Sequence, residues 1–195
     1  MVTDVAASAT ADRELLLVEL VDRAGAAIGA CPVGEAHTER GRLHRAFSVL
    51  LYDNDGRVLL QRRAAVKTRF ALRWSNTCCG HPAPGQVVAA AARTRLAEEL
   101  GISAAQTTPL TEAGTFYYRA ADPATPYIEE EWDHVLVAAL TGGALAPAES
   151  EVSEVRWVHT GPLAAEIETR PDEFTPWLAR VLNVAGKLSM EGTRP

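Results

Sequence analysis

Gln86-Val87-Val88-Ala89-Ala90-Ala91-Ala92-Arg93-Thr94-Arg95-Leu96-Ala97-Glu98-Glu99-Leu100-Gly101 is the stretch from which the fold is read. Val87, Val88, Ala91, Ala92, Leu96 and Leu100 recur at the spacing of a helix with one apolar face, and Gly101 stands where a C-terminal cap belongs. Of the adjacent Glu98 and Glu99, one carboxylate can face inward while the other stays in water. An inward carboxylate suggests a metal ligand, and the alternative is ordinary helix charge.

On the N-terminal side, Arg45 to Tyr52 and Arg57 to Arg63 flank Asp53-Asn54-Asp55-Gly56, whose Asx and glycine residues suit a tight reversal between two strands. Before that hairpin, Glu14 to Val21 and a segment ending near Ala30 flank Asp22-Arg23-Ala24-Gly25 and form another. On the C-terminal side, strands are expected at Glu112 to Arg119, Glu131 to Thr141 and Val152 to His159. Two short helices follow, around Pro162 to Thr169 and Pro176 to Leu188. The expected class is α+β, one domain over residues 1–195, with antiparallel strands around one dominant central helix.

A hydrophobic fraction of 47% and a charged fraction of 23% are ordinary for a globular chain. The net charge of -6 comes without a basic run, which argues against nucleic acid as a partner. Cys31, Cys78 and Cys79 are odd in number and two are adjacent, which suits a reducing cytoplasm better than a disulfide framework. Residues 1–11 lack the pattern of a secretory signal and are expected to be disordered, and no apolar run reaches membrane-span length. The expected assembly is a monomer or weak dimer.

Five side chains form a candidate ligand set for a divalent metal. His37 and His44 lie in a glycine-containing segment that can loop both imidazoles to one point, and His81 adds a third. If the chain around Tyr127 to Trp132 is extended, Glu129 and Glu131 share one face of it and Glu130 points away. A solvated acidic edge strand is the alternative for the glutamates. Arg62, Arg63, Lys67, Arg69 and Arg73 crowd the segment after the second hairpin, where a turn could aim several of them at a diphosphate. A solvated basic loop is the alternative. Cys79 is either a proton-transfer group or, as Cys78 is read, a small buried hydrophobe.

The residues Gly80, Leu96, Glu98, Glu99, Gly101 and Ile102 fall at the spacing of the Nudix signature, a loop-helix-loop module that binds diphosphate substrates through a metal. Gln86 stands where that signature usually has glutamate, and Thr94-Arg95 replaces its Arg-Glu pair, departures that disfavour hydrolysis. More of the chain, roughly Leu15 to Leu182, resembles type I isopentenyl-diphosphate isomerases. The resemblance is carried by Ala36-His37-Thr38, Leu43-His44-Arg45-Ala46-Phe47-Ser48, Gln61-Arg62-Arg63-Ala64, Trp74-Ser75-Asn76-Thr77-Cys78-Cys79-Gly80-His81-Pro82, Tyr118-Arg119-Ala120 and Glu129-Glu130-Glu131.

That resemblance implies a Nudix-like fold of mixed and antiparallel sheets with a central Nudix-type helix and C-terminal helices. It implies one divalent metal (manganese, zinc or magnesium) on His37, His44, His81, Glu129 and Glu131. Glu99 would help to hold a magnesium that accompanies the substrate diphosphate. Arg63, Lys67 and Arg95 would meet the diphosphate, and Trp177 would face the isoprenoid, unless it is only core packing. Cys79 and Glu131, with Tyr118 as relay, would move the protons that convert isopentenyl to dimethylallyl diphosphate through a tertiary carbocation. Val33 stands where these isomerases commonly have a lysine. Loss of one charge-assisted hydrogen bond, about 1.5 to 3 kcal/mol, would weaken diphosphate binding unless another cation substitutes. Three other readings remain open: a Nudix hydrolase acting on a nucleoside diphosphate derivative through Glu98 and Glu99, an isomerase-like enzyme for a related prenyl diphosphate, and a catalytically dead diphosphate-binding or metal-stabilised structural domain.

Overall fold

The computed structural model describes residues 13–38 and 40–191, with side chains through 186. The stretch 1–11, for which disorder is expected, lies outside the described residues.

The strands are β1 (Leu17–Val21), β2 (Ala27–Pro32), β3 (His44–Tyr52), β4 (Val58–Arg63), β5 (Trp74–Ser75), β6 (Cys78–Gly80), β7 (Thr111–Ala121), β8 (Ile128–Ala139) and β9 (Val152–Val158). The helices are α1 (Val33–Ala36), α2 (Val88–Leu100), α3 (Thr160–Thr169) and α4 (Leu178–Glu191). Both hairpins, the three later strands, the central helix and the two C-terminal helices fall where the sequence places them. The short α1, β5 and β6 were not anticipated, and such brief elements carry too few residues to show a period.

The β3–β4 hairpin closes as its sequence requires. Asp53 Oδ1 accepts the backbone N–H of Asp55 at 3.0 Å and of Arg57 at 2.8 Å, and Gly56 takes a positive φ of 73°. The strands part at once, however, pairing only at Tyr52 and Val58. β3 continues parallel to β8 and antiparallel to β6, while β4 pairs with β9 and β5. The sheet is therefore mixed, and the β3–β8 pair is its parallel element.

Strand alternation sends the core to two faces. Phe47, Val49 and Leu51 of β3 pack with Ala91, Ala92, Leu96 and Leu100 of α2. On the opposite face, Leu50, Leu60, Phe116 and Val135 pack with Leu163 of α3 and with Leu178, Val181 and Ala185 of α4. A smaller cluster of Val18, Leu20, Cys31, Val33 and Ala36 seats the β1–β2 hairpin and α1. Because β3 is covered on both sides, it reads in sequence as a nearly unbroken apolar run.

Candidate active site and metal centre

One cavity of about 500 Å³ opens beside the ends of β3, β6 and β8, and Cys79, His81, Tyr118, Glu129 and Glu131 line it together with Arg63, Lys67, Arg69 and Arg95. At its floor the five expected ligands converge. Their ligand atoms lie within 4.8 Å of one another, and all five residues are buried except His81, which is partly so. The convergence follows from register, since parallel pairing sets His44 of β3 opposite Glu131 of β8. Alternation along β8 then turns Glu129 and Glu131 inward, as read from the sequence. His37 terminates α1, and His81 follows β6 directly.

The imidazoles are prepared for a cation. His37 Nδ1 lies 2.7 Å from the Val33 carbonyl and His44 Nδ1 lies 2.7 Å from the Arg42 carbonyl. A carbonyl can only accept, so each Nδ1 carries a proton, and each Nε2 is the ring atom turned into the cluster, where it can offer a lone pair to an ion. Those two Nε2 atoms and Glu129 Oε2 are buried without a hydrogen-bond partner, although Glu129 Oε2 stands 2.7 Å from His37 Nε2. Burial also pushes His81 down to about 4, keeping that ring a neutral donor. Three lone-pair nitrogens and two carboxylates suit a divalent ion such as zinc, manganese or magnesium.

Each carboxylate divides its oxygens. Glu131 Oε1 lies 2.9 Å from His81 Nε2 and 3.6 Å from His44 Nε2, whereas Oε2 accepts the Tyr118 hydroxyl at 2.5 Å. Burial opposes ionisation of Glu131, but the His44 and His81 imidazoles outweigh it and hold the carboxyl well below its usual range. Burial and the Glu131 charge keep Tyr118 a neutral phenol, raised well above its ordinary value. Burial likewise pushes Cys79 up to about 12 despite the opposing Arg63 guanidinium, whose Nη1 is 3.7 Å from Sγ. Trp177 lines the same cavity, its Nε1 donating to Asn76 Oδ1 at 3.1 Å and its ring 5.6 Å from that of Tyr118.

The cations are distributed less simply. Arg63, Lys67, Arg69 and Arg95 reach the cavity, while Arg62 pairs with Glu154 and Arg73 donates to the Phe174 carbonyl. Glu98 is exposed and Glu99 buried, the split expected from their adjacency. Glu99 is not among the cavity-lining residues, and its oxygens meet Arg95 and Gln61. Val33 does line the cavity.

Several participants escaped the sequence reading. Glu151, buried ahead of β9, receives Lys67 at 2.6 Å, Arg13 at 2.7 Å and Arg95 at 3.2 Å. No local pattern marks it, because its partners come from elsewhere in the chain. Asp133 was findable, since it lies two residues beyond Glu131 on the same strand face. It accepts the Ser48 hydroxyl at 2.7 Å, and burial raises it well above the usual carboxylate range.

Fold and site together define a NUDIX-domain protein, and the NUDIX domain model matches residues 42–178. A crystal structure from Deinococcus radiodurans has the same fold at a TM-score of 0.69 and 18% identity, covering 86% of this chain and 97% of that one. The chain is 61% identical to the isopentenyl-diphosphate Delta-isomerase of Nocardia farcinica, covering 86% of this chain and 93% of that protein. It is 43% identical to the enzyme of that name from Streptomyces griseus, covering 96% of this chain and 92% of that protein. The chain belongs to the isopentenyl-diphosphate Delta-isomerase family. Among the described residues no helix is long and apolar enough to cross a membrane.

Proposed function

We propose that this chain, as one domain, converts isopentenyl diphosphate to dimethylallyl diphosphate. The observation that carries the reading is a thiol and a carboxylate lining one cavity, the carboxylate accepting a hydrogen bond from a phenol. The reaction adds a proton to the terminal methylene, leaving a tertiary cation, and removes another from the carbon nearer the diphosphate. Cys79 holds a proton to give. Glu131 Oε2 holds a lone pair to receive one, and Tyr118 can pass a proton to or from that oxygen. The Trp177 face supplies electron density to the cation and excludes water that would trap it as an alcohol.

His37, His44, His81, Glu129 and Glu131 would hold one divalent ion, whose charge would keep Glu131 ionised and fixed when bound. Arg63, Lys67 and Arg95 are assigned to the diphosphate. Glu99 is assigned to a magnesium carried in with it, which would have to displace Arg95 or Gln61 from its oxygens.

Turnover of isopentenyl diphosphate in heavy water tests the reading, with product identity, deuterium content and phosphate release measured together. Deuterated dimethylallyl diphosphate without phosphate release is expected, and Cys79→Ala or Glu131→Gln should abolish its formation while circular dichroism stays unchanged. Phosphate release would indicate hydrolysis instead, and full turnover by folded Cys79→Ala protein would remove Cys79 from the mechanism.

A further inference from the structure

The division of oxygens seen at Glu131 recurs at Glu129. Its Oε2 faces His37 Nε2, and its Oε1 lies 3.3 Å from Arg69 Nε. Arg69 is itself 9% exposed, held from behind by Glu14, whose carboxylate oxygens accept from Nη1 at 3.0 and 3.1 Å. Its guanidinium also lies 5.7 Å from the Tyr127 ring centroid. The backbone of the same residue serves a different neighbour, since the Arg69 carbonyl accepts Arg63 Nε at 3.2 Å and Nη2 at 2.9 Å.

We propose that Arg69 is a positioning residue joining the metal cage to the diphosphate side of the cavity. Its guanidinium reserves one oxygen of Glu129, leaving the other for the ion, and its carbonyl aims Arg63. The inference rests on the five-residue metal site proposed above. A carboxylate with a free second oxygen can rotate away from an ion or chelate it with both oxygens. Fixing that oxygen removes both options, and losing such an outer partner commonly costs a metal site about 10- to 100-fold in affinity. A lysine can keep the charge but not the planar fork that meets Glu129 through Nε and Glu14 through Nη1 together.

Side chain and main chain make separate predictions, because substitution removes the guanidinium and keeps the carbonyl. Wild type, Arg69→Lys and Arg69→Gln are loaded with zinc or manganese, and ion transfer to a chromogenic chelator is timed. Release about tenfold faster or more from Arg69→Gln is expected, with Arg69→Lys between it and wild type. The metal-induced rise in Tm, measured against each variant's own metal-free form so that simple loss of stability cancels, should shrink in the same order. Affinity of the metal-saturated proteins for inorganic pyrophosphate, by calorimetry, should change by less than about threefold, the scale of ordinary coupling between separate contacts. Equal release rates in wild type and both variants would overturn the role of Arg69 at the metal. A fall in pyrophosphate affinity as large as the fall in metal retention would overturn the division between side chain and main chain. A wild-type protein that retains no metal would instead overturn the metal site itself.

Discussion

Two adjacent thiols show how much a single position depends on its surroundings. Cys78 is fully buried in the core with Phe47, Leu96 and Leu100, whereas Cys79 borders the cavity. The strand explains the difference, because successive residues of β6 point to opposite faces, one toward α2 and one toward the substrate space. The sequence separates the two only through resemblance, since β6 is too short to declare itself. It also could not foretell that burial pushes Cys79 up to about 12, for that depends on atoms brought from distant segments. The sign matters for the proposed mechanism: a raised thiol pKa keeps the proton on sulfur throughout the neutral range, so in that reaction Cys79 would begin as an acid. At pH 8 the thiolate fraction is then about 10⁻⁴, against roughly one quarter for an ordinary thiol. Alkylation of Cys79 by iodoacetamide, followed by peptide mass spectrometry, should keep rising about tenfold per pH unit beyond pH 10. A plateau near pH 9 would show an ordinary thiol and remove the basis for treating Cys79 as the proton donor.

Among the elements, α2 was the most legible and the β3–β4 hairpin the most deceptive. The helix declares its apolar face and its end, and Gly101 caps it with a φ of 67° while donating its N–H to the Ala97 carbonyl at 3.1 Å. The hairpin declares its turn but not the parting of its strands after one residue pair, because each strand takes its later partners from the far end of the chain. That parting turns β3 toward β8, where His44 meets the candidate ligands Glu129 and Glu131, and β4 toward β9. The capping glycine allows a test of how tightly the connection behind α2 is closed. A Cβ at position 101 would lie 2.7 Å from Ala146 Cβ and 3.3 Å from its carbonyl oxygen, and the Ala146 N–H is bonded to the Leu100 carbonyl at 2.8 Å. Left-handed strain and this contact together should make Gly101→Ala about 1–3 kcal/mol less stable, read as a lower urea midpoint at unchanged slope. An unchanged midpoint would mean that the Ala146 segment gives way freely and does not brace the helix.

At the scale of the whole molecule, the candidate cage joins the small β1–β2 cluster to central strands that already share one core. His37 ends α1, which rests on the small β1–β2 cluster, while His44, Glu129 and Glu131 lie on the central β3–β8 pair and His81 leads from β6 toward α2. The sequence could name all five candidate ligands but not their meeting, which depends on the parallel alignment of His44 with Glu131. Without an ion, two carboxylates and three imidazoles remain crowded in a largely buried space, and the unpartnered His37 Nε2, His44 Nε2 and Glu129 Oε2 add their desolvation cost. An ion that binds the folded cage and not the unfolded chain stabilises the fold by mass action, about 2.7 kcal/mol when present at a hundred times its Kd. In a chain of 195 residues each kcal/mol moves Tm by roughly 2–4 °C, so stripping the metal with a chelator should lower Tm by roughly 5–10 °C. Restoring zinc or manganese should return it. His37→Ala should lose most of that response, because it removes the ligand that links α1 to the central strands. A wild-type Tm indifferent to chelation and to added metal would show that these five side chains form a polar cluster that the fold tolerates without an ion.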